Sequence, residues 1–165
     1  PSTLNTFVHY GDACSFSPEQ LDTLAKTIHD AYREEQKDRF LRKEPAMAEW
    51  DDLREDFRQS NLQQASHIGH KLAAVGKKAV PAADPDLVEF TDKEIERLAE
   101  MEHARWNVER LLAGWTLGPR DPAQKTSPYL VGWEELPDNV KAWDRDAVRR
   151  ISRLLRSIGL EIQPQ

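Results

Sequence analysis

Apolar residues recur along this chain at helical spacing, in blocks separated by charge, proline and glycine. Leu21, Leu24, Ala25, Ile28, Ala31 and Tyr32 follow the i, i+3, i+4, i+7 pattern of one helix face. The run Ser17-Pro18-Glu19-Gln20 ahead of them is a capping box with proline at the first helical position. Charge takes over after Tyr32, and the pattern predicts a solvated helix continuing to about Lys43, before Glu44-Pro45. A second helix is expected from about Asn61, with Ala65, Ile68, Leu72 and Val75 inward, stopping at Gly76. Residues 77–90, with Pro81, Asp84 and Pro85, read as a linker. Thr91-Asp92-Lys93-Glu94 is another capping box, opening a helix through Leu98, Trp106 and Leu112 to Gly114. From Trp115 to Pro137 the chain reads as a long structured loop with a short strand at Tyr129–Val131. A last helix is expected from about Asp144, with Val148, Ile151, Leu155 and Ile158 inward, ending at Gly159. The fold class is mainly α, with short strands in the loops.

These blocks repeat. At an offset of 74, Ser17 falls on Thr91 and Gln20 on Glu94, while Leu24, Ala25, His29 and Glu35 fall on identical residues and Tyr32 on Trp106. At an offset of 83, Pro45, Trp50 and Leu53 fall on Pro128, Trp133 and Leu136, and Asp51-Asp52 on Glu134-Glu135. Ile68, Leu72 and Gly76 then fall on Ile151, Leu155 and Gly159. Amphipathic helices resemble one another, but a shared Trp, Pro and acidic pair in register with the caps points to duplication. The expected organisation is an N-terminal segment (1–16), repeat 1 (17–78), a linker (79–90) and repeat 2 (91–165), with the helix–loop–helix units related by a pseudo-twofold axis. Such an axis would bring Tyr32 and Trp106 together across a cleft.

Composition narrows the classes. The chain has 165 residues, the size of one ordinary domain. A single Cys14 rules out an internal disulfide scaffold or a cysteine-based metal site. The net charge of −6 argues against a general nucleic-acid or anionic-membrane binder. No apolar run is long enough for a membrane helix, and nothing at the start resembles a signal peptide, so a cytoplasmic domain that does not insert into a membrane is expected. His67-x-x-His70 puts two potential metal ligands on one helix face, but no third is signalled. No nucleophile elbow, Walker loop, zinc-protease motif or dinucleotide fingerprint is present, no cofactor is indicated, and no carboxylate sits in an apolar setting that would raise its pKa. The expectation is a non-enzymatic domain.

His103-Ala104-Arg105-Trp106, then Gly114-Trp115-Thr116-Leu117-Gly118-Pro119, then Pro128-Tyr129-Leu130-Val131 and Glu135-Leu136-Pro137 resemble the RyR repeat, the module found in tandem in the cytosolic shell of ryanodine receptors. The resemblance covers residues 91–162, and residues 17–78 resemble a degenerate second copy that lacks the G-W-x-x-G-P segment. The whole is similar to a bacterial-type tandem pair, which commonly stands beside other domains of longer proteins. The resemblance implies no catalysis, and a cleft between repeats where an adenine nucleotide sits near the motif tryptophans. On this chain those positions are Trp106 and, as a replacement, Tyr32. It also implies an arginine one turn after the motif Trp, which is Arg110, with Gln36 at the matching place in repeat 1.

Each candidate has a plainer alternative. Trp106 and Tyr32 offer ring faces to a base, or are core aromatics. Arg110 offers a fork to a phosphate, or pairs with a glutamate on its own helix. His29 and His103 contact ligand, or bond a loop carbonyl. Trp115 and Pro119 wall the cleft or pin the loop, and Arg120 and Lys125 in that loop are candidate anion contacts. Trp50 and Trp133 read as core anchors. The expected partner is a nucleotide-like small molecule, with a neighbouring domain as receiver; the alternative is a structural or protein-interaction module.

Overall fold

A computed structural model describes residues 16–38 and 44–165. The Ser17 cap opens α1 (Pro18–Gln36), and both capping-box bonds form: the Gln20 amide donates to Ser17 Oγ, and the Ser17 amide to Gln20 Oε1 at 2.8 Å. Leu24, Ala25, Ile28 and His29 are its buried stripe, and no residue beyond His29 is buried. The described helix ends at Gln36, short of the expected extension to Lys43, after a charged stretch (Arg33, Glu34, Glu35) that buries nothing. The last part of that extension, residues 39–43, lies outside the described residues, as do residues 1–15 of the N-terminal segment.

Two 3₁₀ turns, Pro45–Met47 and Trp50–Asp52, lead into α2 (Glu55–Ser66) and α3 (Ile68–Ala74), with the break at His67. The expected single helix from Asn61 is therefore two helices that begin earlier. Its first turn is polar and exposed, with Glu55 and Asp56 favourably placed at the helix N-terminus. After β1 (Lys77–Pro81) comes α4 (Asp92–Leu112), opened by the Thr91–Glu94 capping box. Then follow β2 (Thr116–Leu117), β3 (Thr126–Ser127), a 3₁₀ turn at Trp133–Glu135, α5 (Asp138–Arg149), α6 (Ile151–Ser157) and β4 (Leu160–Pro164). The last helix, like the second, starts earlier than expected and breaks, here at Arg150.

Two expectations are overturned. The linker opens with a strand: β1 pairs antiparallel with β4, Lys77 opposite Pro164, Ala79 opposite Ile162 and Pro81 opposite Leu160. The rest of that stretch is tied down as well, with Val88 N–H donating to Ser152 Oγ at 2.8 Å and Phe90 buried in the core. Five residues whose partner lies near the far end of the chain leave no periodic signal. The strand expected at Tyr129–Val131 is absent; β3 pairs parallel with β2 instead. The Val131 carbonyl, which a ladder would need, is taken by side chains of α4.

The helices α1 and α4 each pack most closely on the helix that follows their loop, α2 and α5. One cluster of buried residues joins Leu24, Ile28, Ile68 and Leu72 to Leu98, Val140, Val148, Ile151 and Leu155. Many bounds recur at one offset: α2 and α5, α3 and α6, β1 and β4, and the turns at Trp50 and Trp133 all differ by 83.

Gly76 and Gly159 end α3 and α6 at φ +68° and +75°, turning the chain into the paired strands. A Cβ at either would meet nothing within 4 Å, so substitution is opposed by backbone strain alone. Gly159→Ala is expected to cost about 1–2 kcal/mol in urea unfolding.

Candidate functional site

The buried stripe of α4 is Ile95, Leu98, Ala99, Glu102 and His103, so two polar groups occupy apolar helical positions. Both are satisfied. His103 Nε2 lies 2.8 Å from the Val131 carbonyl, to which the Asn107 amide also donates at 2.8 Å. In the first half His29 Nε2 lies 2.8 Å from the Ala48 carbonyl. Both histidines thus bond loop carbonyls, and each packs on tryptophan: His29 on Trp50, His103 on Trp133 and, nearly parallel at 20°, on Trp106.

Trp106 is half-buried beside His103. Arg110, one turn further on, sets its guanidinium carbon 5.5 Å from the Trp106 ring centre and 4.7 Å from that of Trp115. A cation between two indoles is held by their ring faces. Its Nε is buried without a hydrogen-bond partner among the described residues. The helical glutamate that could have paired with it, Glu109, is bonded instead to Arg105 at 2.7 Å. The structure thus brings His103, Trp106, Arg110 and Trp115 into one row.

The other candidates stand apart or serve the loop. Lys125, at φ +53°, donates from Nζ to the Ala113 carbonyl at 3.0 Å and so caps the end of α4. The Pro119 carbonyl accepts from Thr126 Oγ1 at 2.6 Å, pinning the loop. Arg120 is exposed. Tyr32 lies on α1, 36% exposed, in the other half of the chain. Trp133 is buried with its indole N–H donating to Glu96 at 3.2 Å, and Trp50 packs half-buried against the core.

Sequence reasoning missed an ionic cluster behind this row. Lys71 of α3, 2% exposed, donates to Glu102 Oε2 at 2.6 Å. Arg105 bonds both Glu102 and Glu109. Burial alone would raise the Glu102 carboxyl, but Lys71 and Arg105 hold it down to about 2. Burial pulls Lys71 below the ordinary lysine range, against the attraction of Glu102. Glu102 is the firmer of the two, since two cations bond it, and the pair is ionised.

Asp144 of α5 departs from the expectation that no carboxylate is raised by an apolar setting. Burial, reinforced by the charge of Glu102, raises its carboxyl to about 7 against Arg105 and Lys71. The signal was available, because Asp144 stands one helical turn before Val148 on the inward side. His67, beside the cluster, is pushed down to about 4, chiefly by burial and then by Lys71. Among the described residues no three histidines, cysteines or carboxylates are grouped to hold a metal.

A cavity of about 10 Å³ adjoins the cluster, lined by Ile28, Lys71, Glu102, Val148, Ile151 and Leu154 among others. That is room for about one water. That cavity is too small for a nucleotide base. Among the described residues no helix is long and apolar enough to cross a membrane.

A family model described as the RyR domain matches residues 78–164, just over half of the chain. The match begins within β1 and ends at the last residue of β4, so the strand pair closes the matched unit. It takes in His103, Trp106, Arg110, Trp115 and Asp144. The chain belongs to the RyR domain family, a non-enzymatic one.

Proposed function

We propose that this chain is a tandem RyR module of the bacterial type that binds an adenine nucleotide or nucleotide-derived messenger between two repeats related by a pseudo-twofold axis. The tandem reading rests on counterparts. The strand β1 pairs with β4 about Ala79 and Ile162, which are themselves counterparts at the offset of 83. A segment that pairs antiparallel with its own counterpart about such a residue is what a local twofold axis produces. The cavity is lined by counterpart residues too: Ile28 with Glu102 at the offset of 74, and Lys71 with Leu154 at 83. His29 to Ala48 and His103 to Val131 repeat one bond.

The observation that carries the ligand reading is the row His103–Trp106–Arg110–Trp115. It combines a half-exposed indole with a guanidinium whose Nε has no partner among the described residues. An indole suits a base by stacking, and the guanidinium suits its phosphate. In this reading Tyr32, the counterpart of Trp106 on α1, supplies the facing ring, while Arg120 and Lys125 stay with the loop. Ligand binding would fix the relative placement of the repeats and pass that to a neighbouring domain of a longer protein. The alternative, an interaction module with no small-molecule ligand, has one observation in its favour. Val108, Leu111 and Leu112 are exposed at the end of α4, Leu112 by 84%, and Leu117 is exposed in β2 just after it.

The test is a thermal-shift panel of adenine nucleotides, cyclic mono- and dinucleotides and ADP-ribose derivatives. A true ligand at a hundred times its Kd adds about 2.7 kcal/mol of stability. Trp106→Ala is expected to weaken binding by about 1–3 kcal/mol, roughly five- to 150-fold, while the fold survives. A panel in which no compound moves the midpoint removes the nucleotide reading and leaves the interaction module.

A further inference from the structure

The Val131 carbonyl oxygen can only accept, so the 2.8 Å contact puts a hydrogen on His103 Nε2. The other ring nitrogen, Nδ1, faces Asp144 Oδ2 at 3.6 Å, an ion-pair distance rather than a hydrogen bond. The two side chains are 5% and 20% exposed. A neutral ring with hydrogen on Nε2 turns the Nδ1 lone pair toward that carboxylate. Out of water, such a facing repels unless one proton sits on Nδ1 or on the carboxyl.

We propose that His103 and Asp144 hold this one proton between them, forming a protonation-sensitive latch from α4 to α5 that steadies the His103–Trp106 stack. Asp144 is thus a positioning residue for Trp106, acting through His103. The charged groups facing Asp144 are Glu102 and Arg105 from α4 and Lys71 from α3. Burial and Glu102 lift the carboxyl to about 7, so the proton leaves close to neutrality. Once it has left, carboxylate and lone pair repel, Asp144 turns toward water, and the ring under Trp106 loses its second tie. The residue 83 positions earlier, on α2, is Asn61, a neutral amide with no such proton to lose.

The test needs no ligand, so it stands or falls apart from the nucleotide reading. The protein is labelled with ¹⁵N-histidine, ¹³C-aspartate and 5-fluorotryptophan, and followed by NMR from about pH 5.5 to 9. The Asp144 carboxyl carbon is expected to shift with a midpoint near 7, and the His103 Nδ1 resonance to follow it. Nε2 stays protonated throughout, and the Trp106 fluorine follows the same curve. Asp144→Asn removes the titrating carboxyl, and all three signals should be flat. Flat signals in the unmodified protein overturn the latch. So does a transition that persists unchanged in Asp144→Asn, or a Trp106 resonance that ignores the pair's titration.

Discussion

Lys71→Met is expected to destabilise the protein by about 3–5 kcal/mol, the range for leaving one member of a buried ion pair alone. Lys71 and Glu102 are 2% and 4% exposed, and the adjoining cavity has room for only about one water beside the abandoned carboxylate. Arg105 still bonds Glu102, but it is shared with Glu109 and leaves the cluster one negative charge in excess. The double variant Lys71→Leu, Glu102→Ile is expected to recover most of the loss. It takes away one charge of each sign, keeps the Arg105–Glu109 pair, and introduces the residues found at the counterpart positions, Leu154 and Ile28. Urea unfolding of Lys71→Leu alone, Glu102→Ile alone and the double variant closes the cycle. Losses that simply add would mean that the pair is not coupled. The same pair sets an acid limb. Glu102 folds with a carboxyl near 2 against an ordinary 4.5, so the unfolded chain binds more protons between those values. Its contribution is complete above pH 4.5 and is lost as pH falls through 2. Asp144 works in the opposite sense. Its raised carboxyl makes the folded chain the better proton binder between 3.8 and about 7, so stability falls as pH rises across that window. Asp144→Asn should flatten the neutral limb and leave the acid one.

What the chain's pattern made legible was whatever is local. Capping boxes at Ser17 and Thr91 announced α1 and α4, since four consecutive positions hold the whole signal. The histidines were legible as carbonyl-bonding residues, because a histidine one turn before an aromatic on a buried face needs a partner. The bond of Lys125 to the Ala113 carbonyl was not legible, since it is made from a left-handed backbone that the sequence does not announce. The linker failed because β1 finds its partner at the other end of the chain. Glu102 and Asp144 were legible as positions but not as chemistry. Each lies at an inward helical spacing, and what makes such a carboxyl strong or weak is the cation that a different helix brings to it. Glu102 receives Lys71 from α3 and ends near 2; Asp144, pushed up first by burial and then by Glu102, ends near 7.

Leu72→Ala and Leu155→Ala are expected to cost about 2–5 kcal/mol each, and to do so in a single transition. Both side chains are fully buried at the same place in their respective helices, α3 and α6, and both belong to one continuous cluster. A unit of roughly 60–70 residues buries too little surface to stand well alone. Here the two halves are joined by the β1–β4 pair, by Lys71–Glu102 and by Arg150–Glu35. The tryptophans make the test sharp, because four of the five (Trp106, Trp115, Trp133 and Trp143) follow residue 90 and only Trp50 precedes it. Fluorescence therefore reports mainly on the second half, whereas far-UV dichroism reports on every helix. If the halves fold as one, Leu72→Ala must lower the fluorescence midpoint as far as the dichroism midpoint, although it lies in the first half. A fluorescence curve left in place by Leu72→Ala would mean two separately stable units. The β1–β4 pair would then be a tether between them, and a ligand could move the halves without unfolding either.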